Sequence, residues 1–130
     1  MNIKLKITEK DGVIEIVEEE IREEPRPVAE DARQQATSYY ITDGNGHAEK
    51  FETYFNITTP QKVEVKTRHL GKVDLTTNLY EVFTGIAGPK FPHNEGGKAD
   101  LPSGYWHMYF TGTIQTYPKP AEFYATVYYT

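Results

Sequence analysis

The chain has 130 residues, no cysteine and a formal net charge of −5. The absence of thiols excludes disulfides, thiolate metal sites and a cysteine nucleophile. The length suits one domain over 1–130 with a core of its own, and no apolar run reaches signal-peptide or transmembrane length. The expectation is therefore a soluble protein of the cytoplasm, or of the virion if a virus encodes it.

From the N-terminus, Ile3, Leu5 and Ile7 alternate with Lys4, Lys6 and Thr8. Lys10-Asp11-Gly12 is a turn, and Val13 to Val17 returns, with a continuation as far as Ile21. This pattern predicts a hairpin. The charge is concentrated just here. Between Glu15 and Asp31 eight acids face two arginines, a net of −6 that leaves +1 for everything else. No lysine or arginine stripe exists to neutralise several phosphates, so direct binding to nucleic acid is not expected.

Pro27 to Ala36 is the only candidate helix, with proline in its first turn and Glu30 and Asp31 in its N-terminal half. It has little apolar face, and an irregular linker is the alternative. Ser38 to Ile41 and Ala48 to Ile57 predict a second hairpin around Asp43-Gly44-Asn45-Gly46. On its return strand Phe51, Thr53, Phe55 and Ile57 share one face. Val63 and Val65 mark a strand, His69-Leu70-Gly71-Lys72 a turn, Val73 and Leu75 the next strand, and Leu79 to Phe83 a further short one. The pattern then fails from Gly85 to Gly104, where five glycines and three prolines predict a long loop. Loops of more than about 12–15 residues are uncommon in compact domains and are usually functional or disordered.

Tyr105 to Thr116 and Phe123 to Thr130 close the chain as two strands, broken by Tyr117-Pro118-Lys119-Pro120, where proline offers no N–H to a ladder. Alternation sets Trp106, Met108 and Phe110 against Phe123, Ala125 and Val127 as the floor of the core. It puts Tyr105, His107, Tyr109, Tyr124 and Tyr128 on the opposite faces. About eight to nine short strands with frequent turns give the fold class: all-β, an antiparallel sandwich of jelly-roll type or a partly closed barrel, with at most one short helix.

No catalytic motif stands out. A Gly-x-Ser-x-Gly elbow, a His-Glu-x-x-His run, a P-loop and a dinucleotide fingerprint are all missing. Asp43-Gly44-Asn45-Gly46 reads as a turn, since the terminal glutamate of a calcium loop is lacking at loop spacing. Asn56-Ile57-Thr58 matches a glycosylation acceptor with no signal peptide before it. The predicted loop carries His93 and Glu95 and leads to His107, and two imidazoles with a carboxylate suit a divalent transition metal. Pro102-Ser103-Gly104-Tyr105-Trp106-His107 resembles the second motif of cupins, Pro-x-Gly-x-x-His, in which the histidine binds metal. The nearest candidate for the first motif is His47-Ala48-Glu49 with Glu52 after it. That resemblance implies a metal-dependent enzyme or small-ligand barrel with a site near His93, Glu95 and His107.

The main reading is non-enzymatic and without cofactor. Tyrosines with polar tips are favoured at protein interfaces and on sugar platforms. The expected function is a binding or assembly protein, an inhibitor or structural protein of a virus or mobile element. Its partner surface is Tyr105, His107, Tyr109, Tyr124 and Tyr128 with His93 and Glu95, and self-association is a further expectation. A competing surface is acidic: Glu18, Glu19, Glu20, Glu23 and Glu24 can mimic nucleic-acid phosphates in a partner's basic groove, or can serve as a solvated edge that discourages strand pairing.

Overall fold

The computed structural model describes residues 2–10, 13–21 and 33–130. The first two segments are strands β1 (Asn2–Lys10) and β2 (Val13–Ile21), paired antiparallel with Lys4 opposite Glu19 and Ile7 opposite Ile16. The hairpin expected from alternation is therefore present. Its turn residues Asp11 and Gly12, and Glu23 and Glu24 of the acidic surface, lie outside the described residues.

Nine further strands follow: β3 (Gln34–Thr42), β4 (Ala48–Phe51), β5 (Thr53–Ile57), β6 (Gln61–Leu70), β7 (Val73–Glu81), β8 (Ala87–Phe91), β9 (Gly97–Leu101), β10 (Gly104–Ile114) and β11 (Ala121–Tyr129). Most of the candidate helix, 27–32, is outside the described residues. Its last part is strand, because Gln34 to Ala36 pair with Gln35's row of β11 partners, Val127 to Tyr129.

These strands form two antiparallel sheets, β4-β3-β11-β6-β9 and β5-β10-β7-β8. Successive strands from β4 onward cross repeatedly between the sheets. The order β3-β11-β6-β9 facing β5-β10-β7-β8, with early and late strands interleaved, is that of a jelly roll. The protein is thus an all-β sandwich, and the barrel alternative falls away.

The core is the space between the sheets. Trp106, Met108 and Phe110 project from β10 of one sheet, and Phe123, Ala125 and Val127 from β11 of the other, all at most 5 % exposed. Phe110 and Phe123 meet edge to face, with centroids 5.0 Å apart. Phe55, Ile57, Val63, Val65, Leu75, Leu79 and Leu101 fill the rest. A polar bridge also spans the layers. Buried Ser38 on β3 donates from Oγ to the Met108 carbonyl at 2.7 Å and accepts the Thr53 N–H at 2.9 Å.

Three expectations are corrected. The strands expected at Val73 and Leu75 and from Leu79 to Phe83 are one, β7, which ends at Glu81. The long loop of 85–104 contains two edge strands, β8 on β7 and β9 on β6. An edge strand needs partners on one side only, so it tolerates Pro89, which lies where the β7–β8 register shifts. Finally, the strand from Ala48 to Ile57 is broken at Glu52: β4 stays with β3, and β5 joins β10 in the opposite sheet. Phe51 is consequently half-exposed on an outer face, and Phe55 is buried in the core.

Candidate functional site

The register of β10 fixes the outer face of the four-stranded sheet. Tyr105, His107 and Tyr109 alternate with buried Trp106, Met108 and Phe110, so they stand on the solvent side. Across the ladder His107 lies opposite Tyr54 of β5 and Tyr80 of β7. The rings meet as a stack. Tyr54 and His107 are nearly parallel, 4.4 Å apart at 8°. Tyr54 also stacks on Tyr105 at 5.4 Å, and His107 on Tyr109 at 5.3 Å. Tyr105 in turn meets Phe83 at 5.9 Å. The result is a continuous aromatic ladder that runs off the sheet into the turn after β7.

That turn is apolar and exposed. Val82, Phe83 and Ile86 are 37 %, 82 % and 53 % exposed. A phenylalanine so placed gains nothing from the core, yet the backbone beneath it is fixed. Glu81, only 4 % exposed, points inward at the end of β7. Both its carboxylate oxygens accept the Phe83 N–H at 3.0 Å, and Oε2 also accepts the Thr84 N–H at 3.3 Å. Val82 donates its N–H to the Tyr105 carbonyl at 2.8 Å, and Gly85 donates to the Glu81 carbonyl at 3.0 Å. Burial pushes the Glu81 carboxyl up, but the N–H groups of Phe83, Thr84 and Tyr105 outweigh it and hold the group below the ordinary carboxylate value.

Gly104 belongs to the same device. A Cβ there would sit 2.7 Å from Glu81 Cγ. The Pro102-x-Gly104 element therefore makes room for the carboxylate that holds the turn. Its proline serves Trp106, whose Nε1–H donates to the Pro102 carbonyl at 3.2 Å.

The metal arrangement expected from the cupin resemblance does not assemble. His107 faces outward between Tyr54 and Tyr109, and its acidic neighbour among the described residues is Glu52, with Nε2 to Oε1 at 3.8 Å. His93 sits in the β8–β9 turn against Asp74, at 3.5 Å. Asp74 is opposite Thr113, six residues along β10 from His107, a separation of about 20 Å. Glu95 shares that distant turn, where its N–H donates to the Pro92 carbonyl. His47 is on the β3–β4 turn, held by Asp43 at 2.7 Å. The first Asp43 oxygen accepts the Asn45 N–H, which with His47 keeps this carboxyl below the usual range. This is a hairpin turn, as the sequence predicts. Among the described residues no three His, Cys, Asp or Glu side chains gather into a metal-holding group.

The expected tyrosine surface is in fact two surfaces. Tyr124 and Tyr128 lie on the outer face of the five-stranded sheet, on the far side of the sandwich from Tyr105, His107 and Tyr109. There Phe51, Tyr39, Tyr124 and Arg68 form one cross-strand row. Tyr39 stacks on Phe51 at 5.7 Å, and the Arg68 guanidinium lies 4.1 Å from the Tyr124 ring. Hydrogen bonding to Glu49 raises the Tyr39 phenol above its ordinary value. Glu18, Glu19 and Glu20 of the acidic surface lie on β2.

Sequence reasoning missed Phe83, Tyr54 and Glu81. The signal for Tyr54 was its alternation with Phe55. For Phe83 it was a turn, Val82 to Ile86, with three large apolar residues where turns are usually polar. Compared with known family models, curated proteins and solved structures, the chain matches none.

Proposed function

We propose that this chain is a non-enzymatic binding or assembly protein. It engages a protein partner through the Val82–Ile86 turn and the aromatic ladder of Tyr105, Tyr54, His107 and Tyr109. The observation that carries this reading is Phe83, 82 % exposed on a turn whose N–H groups are held by a buried carboxylate. A fixed apolar anchor beside amphipathic rings is the composition of an interface hot spot, and fixing it in advance lowers the entropy lost on binding.

A second reading, self-association through the five-stranded sheet, is favoured by Phe51, half-exposed in the row with Tyr39, Tyr124 and Arg68. The acidic surface on β2 is the third contender for a partner.

One experiment separates them. The tagged chain is used as bait in lysate of its own organism at about 0.1 M and about 1 M salt, between which the Debye length falls from about 10 to 3 Å. Phe83→Ser is run beside a variant with Glu18, Glu19, Glu20, Glu23 and Glu24 as glutamine. The expected partner survives high salt and is lost with Phe83→Ser. A partner lost in high salt and with the glutamine variant would establish the acidic surface instead. Light scattering of wild type and Phe51→Ser tests self-association: a species larger than a monomer that the substitution dissolves would support the five-stranded sheet.

A further inference from the structure

The end of the sandwich opposite Phe83 holds a groove of about 590 Å³, between the β6–β7 turn and the β10–β11 connection. Its volume is that of a small-ligand or short-peptide site. Leu70, Pro118 and Pro120 give it apolar walls, and Lys72 and Lys119 give it charge. Leu70 is 62 % exposed, an apolar side chain without cover at the groove's rim.

The walls are fixed before anything binds. Gly71 takes φ +81°, and a Cβ there would lie 2.8 Å from the Pro120 carbonyl oxygen. Gly44, also at φ +81°, would place a Cβ 2.7 Å from Lys119 C and Pro120 N. The backbone of Lys119-Pro120 is therefore clamped between two turns that approach it as closely as glycine allows. Gln115 donates its N–H to the Lys72 carbonyl at 2.9 Å, and Gly46 donates to the Thr116 carbonyl at 2.9 Å. Gln115 Nε2 donates to the Tyr117 carbonyl at 3.1 Å.

The charge in this groove is uncompensated by the described residues. Among the described residues neither Lys72 nor Lys119 has a carboxylate within ion-pair distance, whereas Lys50, Lys66 and Lys98 each do. An ammonium is a compact point charge that pairs with a single carboxylate, and two of them beside apolar walls suit carboxylates carried on an apolar frame. Lysine also binds phosphate as a point charge, so it is the apolar walls beside the lysines that favour a carboxylate on an apolar frame, and a sugar is usually met by an aromatic ring. None of the groove's lining residues is arginine or aromatic.

We infer that this groove binds a short acidic peptide segment of a partner protein, with glutamate or aspartate on Lys72 and Lys119 and an apolar side chain against Leu70 and the prolines. This site stands apart from the aromatic ladder and does not rest on it. The test is fluorescence anisotropy on the full chain. The probe is a labelled hexapeptide of alternating glutamate and leucine, and its controls are the glutamine–leucine counterpart and competing inorganic phosphate. The expected result is saturable binding of the acidic probe at micromolar to millimolar protein. Lys72→Gln/Lys119→Gln should weaken it at least tenfold, and the charge-matched Lys62→Gln/Lys98→Gln should leave it unchanged. Amide shifts of Gly71 and Gln115 on titration would place the probe in the groove. No binding, equal binding of the glutamine peptide, or equal loss with both lysine pairs would overturn the inference. Displacement by phosphate at equal concentration would reduce the groove to a general anion site and overturn the peptide assignment.

Discussion

Phe83→Ser separates a residue kept for folding from one kept for binding. In the folded chain the ring is 82 % exposed, and its aromatic contact is with Tyr105 at 5.9 Å. Exposed substitutions of this kind change stability by no more than about 0.5 kcal/mol. The effect on a partner is different. A phenylalanine buries about 150–250 Å² when fully covered, and most of that surface is still available here. At about 25 cal/mol/Å² its burial by a partner is worth up to about 4 kcal/mol. Reorganisation and ordering take back part of this, so about 2 kcal/mol, the threshold of a hot spot, is the conservative figure. That is a loss of about 30-fold in affinity, rising to several hundredfold near the ceiling. The partner recovered at high salt is titrated by calorimetry against both chains. Stability is followed by urea unfolding through the single tryptophan, Trp106, which is 1 % exposed and so reports core disruption directly. Unchanged affinity would refute the assignment. So would a fall in the unfolding midpoint large enough to account for the lost binding, because Phe83 would then be a folding residue.

Two further outcomes follow from buried polar groups. Ser38→Ala removes a polar bridge between the sheets and leaves the Thr53 N–H without its partner. The expected loss is about 1–3 kcal/mol by urea unfolding, and a loss below about 0.5 kcal/mol would show that the bridge is dispensable. For Glu81, a folded-state value below the ordinary 4.5 means that the turn gains from the ionised form at neutral pH. That gain is complete above the unfolded value and disappears as pH falls through the lower folded one. Amide-exchange protection at Phe83 and Thr84, taken relative to the intrinsic rate at each pH, should therefore fall on acidification below about 4.5, and Glu81→Gln should remove the step. Protection that is flat over this range in wild type would contradict the role given to the carboxylate.

Outside 85–104 alternation was legible from the sequence, and it correctly set which side of most of those strands faces the core. It could not say which sheet a strand belongs to. In a sandwich both sheets bury their inner faces against the same core, so a strand moved to the opposite layer keeps the same pattern. The closing strands show the consequence. Trp106, Met108 and Phe110 do meet the face of Phe123, Ala125 and Val127, but the residues on their reverse sides end up on opposite outer surfaces. A single tyrosine face became two. The 85–104 segment failed for another reason. A five-residue edge strand with one partner tolerates glycine and proline, so the residues that signal a loop also suit β8 and β9.

The site itself was half legible, and Glu81 shows why. At the inward end of β7 the alternation of Leu75, Thr77 and Leu79 calls for another core residue. A leucine or methionine there would serve packing better, since a buried carboxylate carries a desolvation penalty unless its oxygens are paired. It is paired mainly with the turn that follows, through Phe83 and Thr84, and with the Tyr105 N–H on the neighbouring strand. Gly104, on a neighbouring strand, has given up its side chain to make room for it. Two positions have thus departed from what the core favours, and the structural result of both is a rigid turn that holds a phenylalanine in solvent. Local rules broken together, with the compensation directed at one exposed side chain, are what a functional site looks like in a sequence. Here the sign was an acid at an inward strand position followed by an apolar turn.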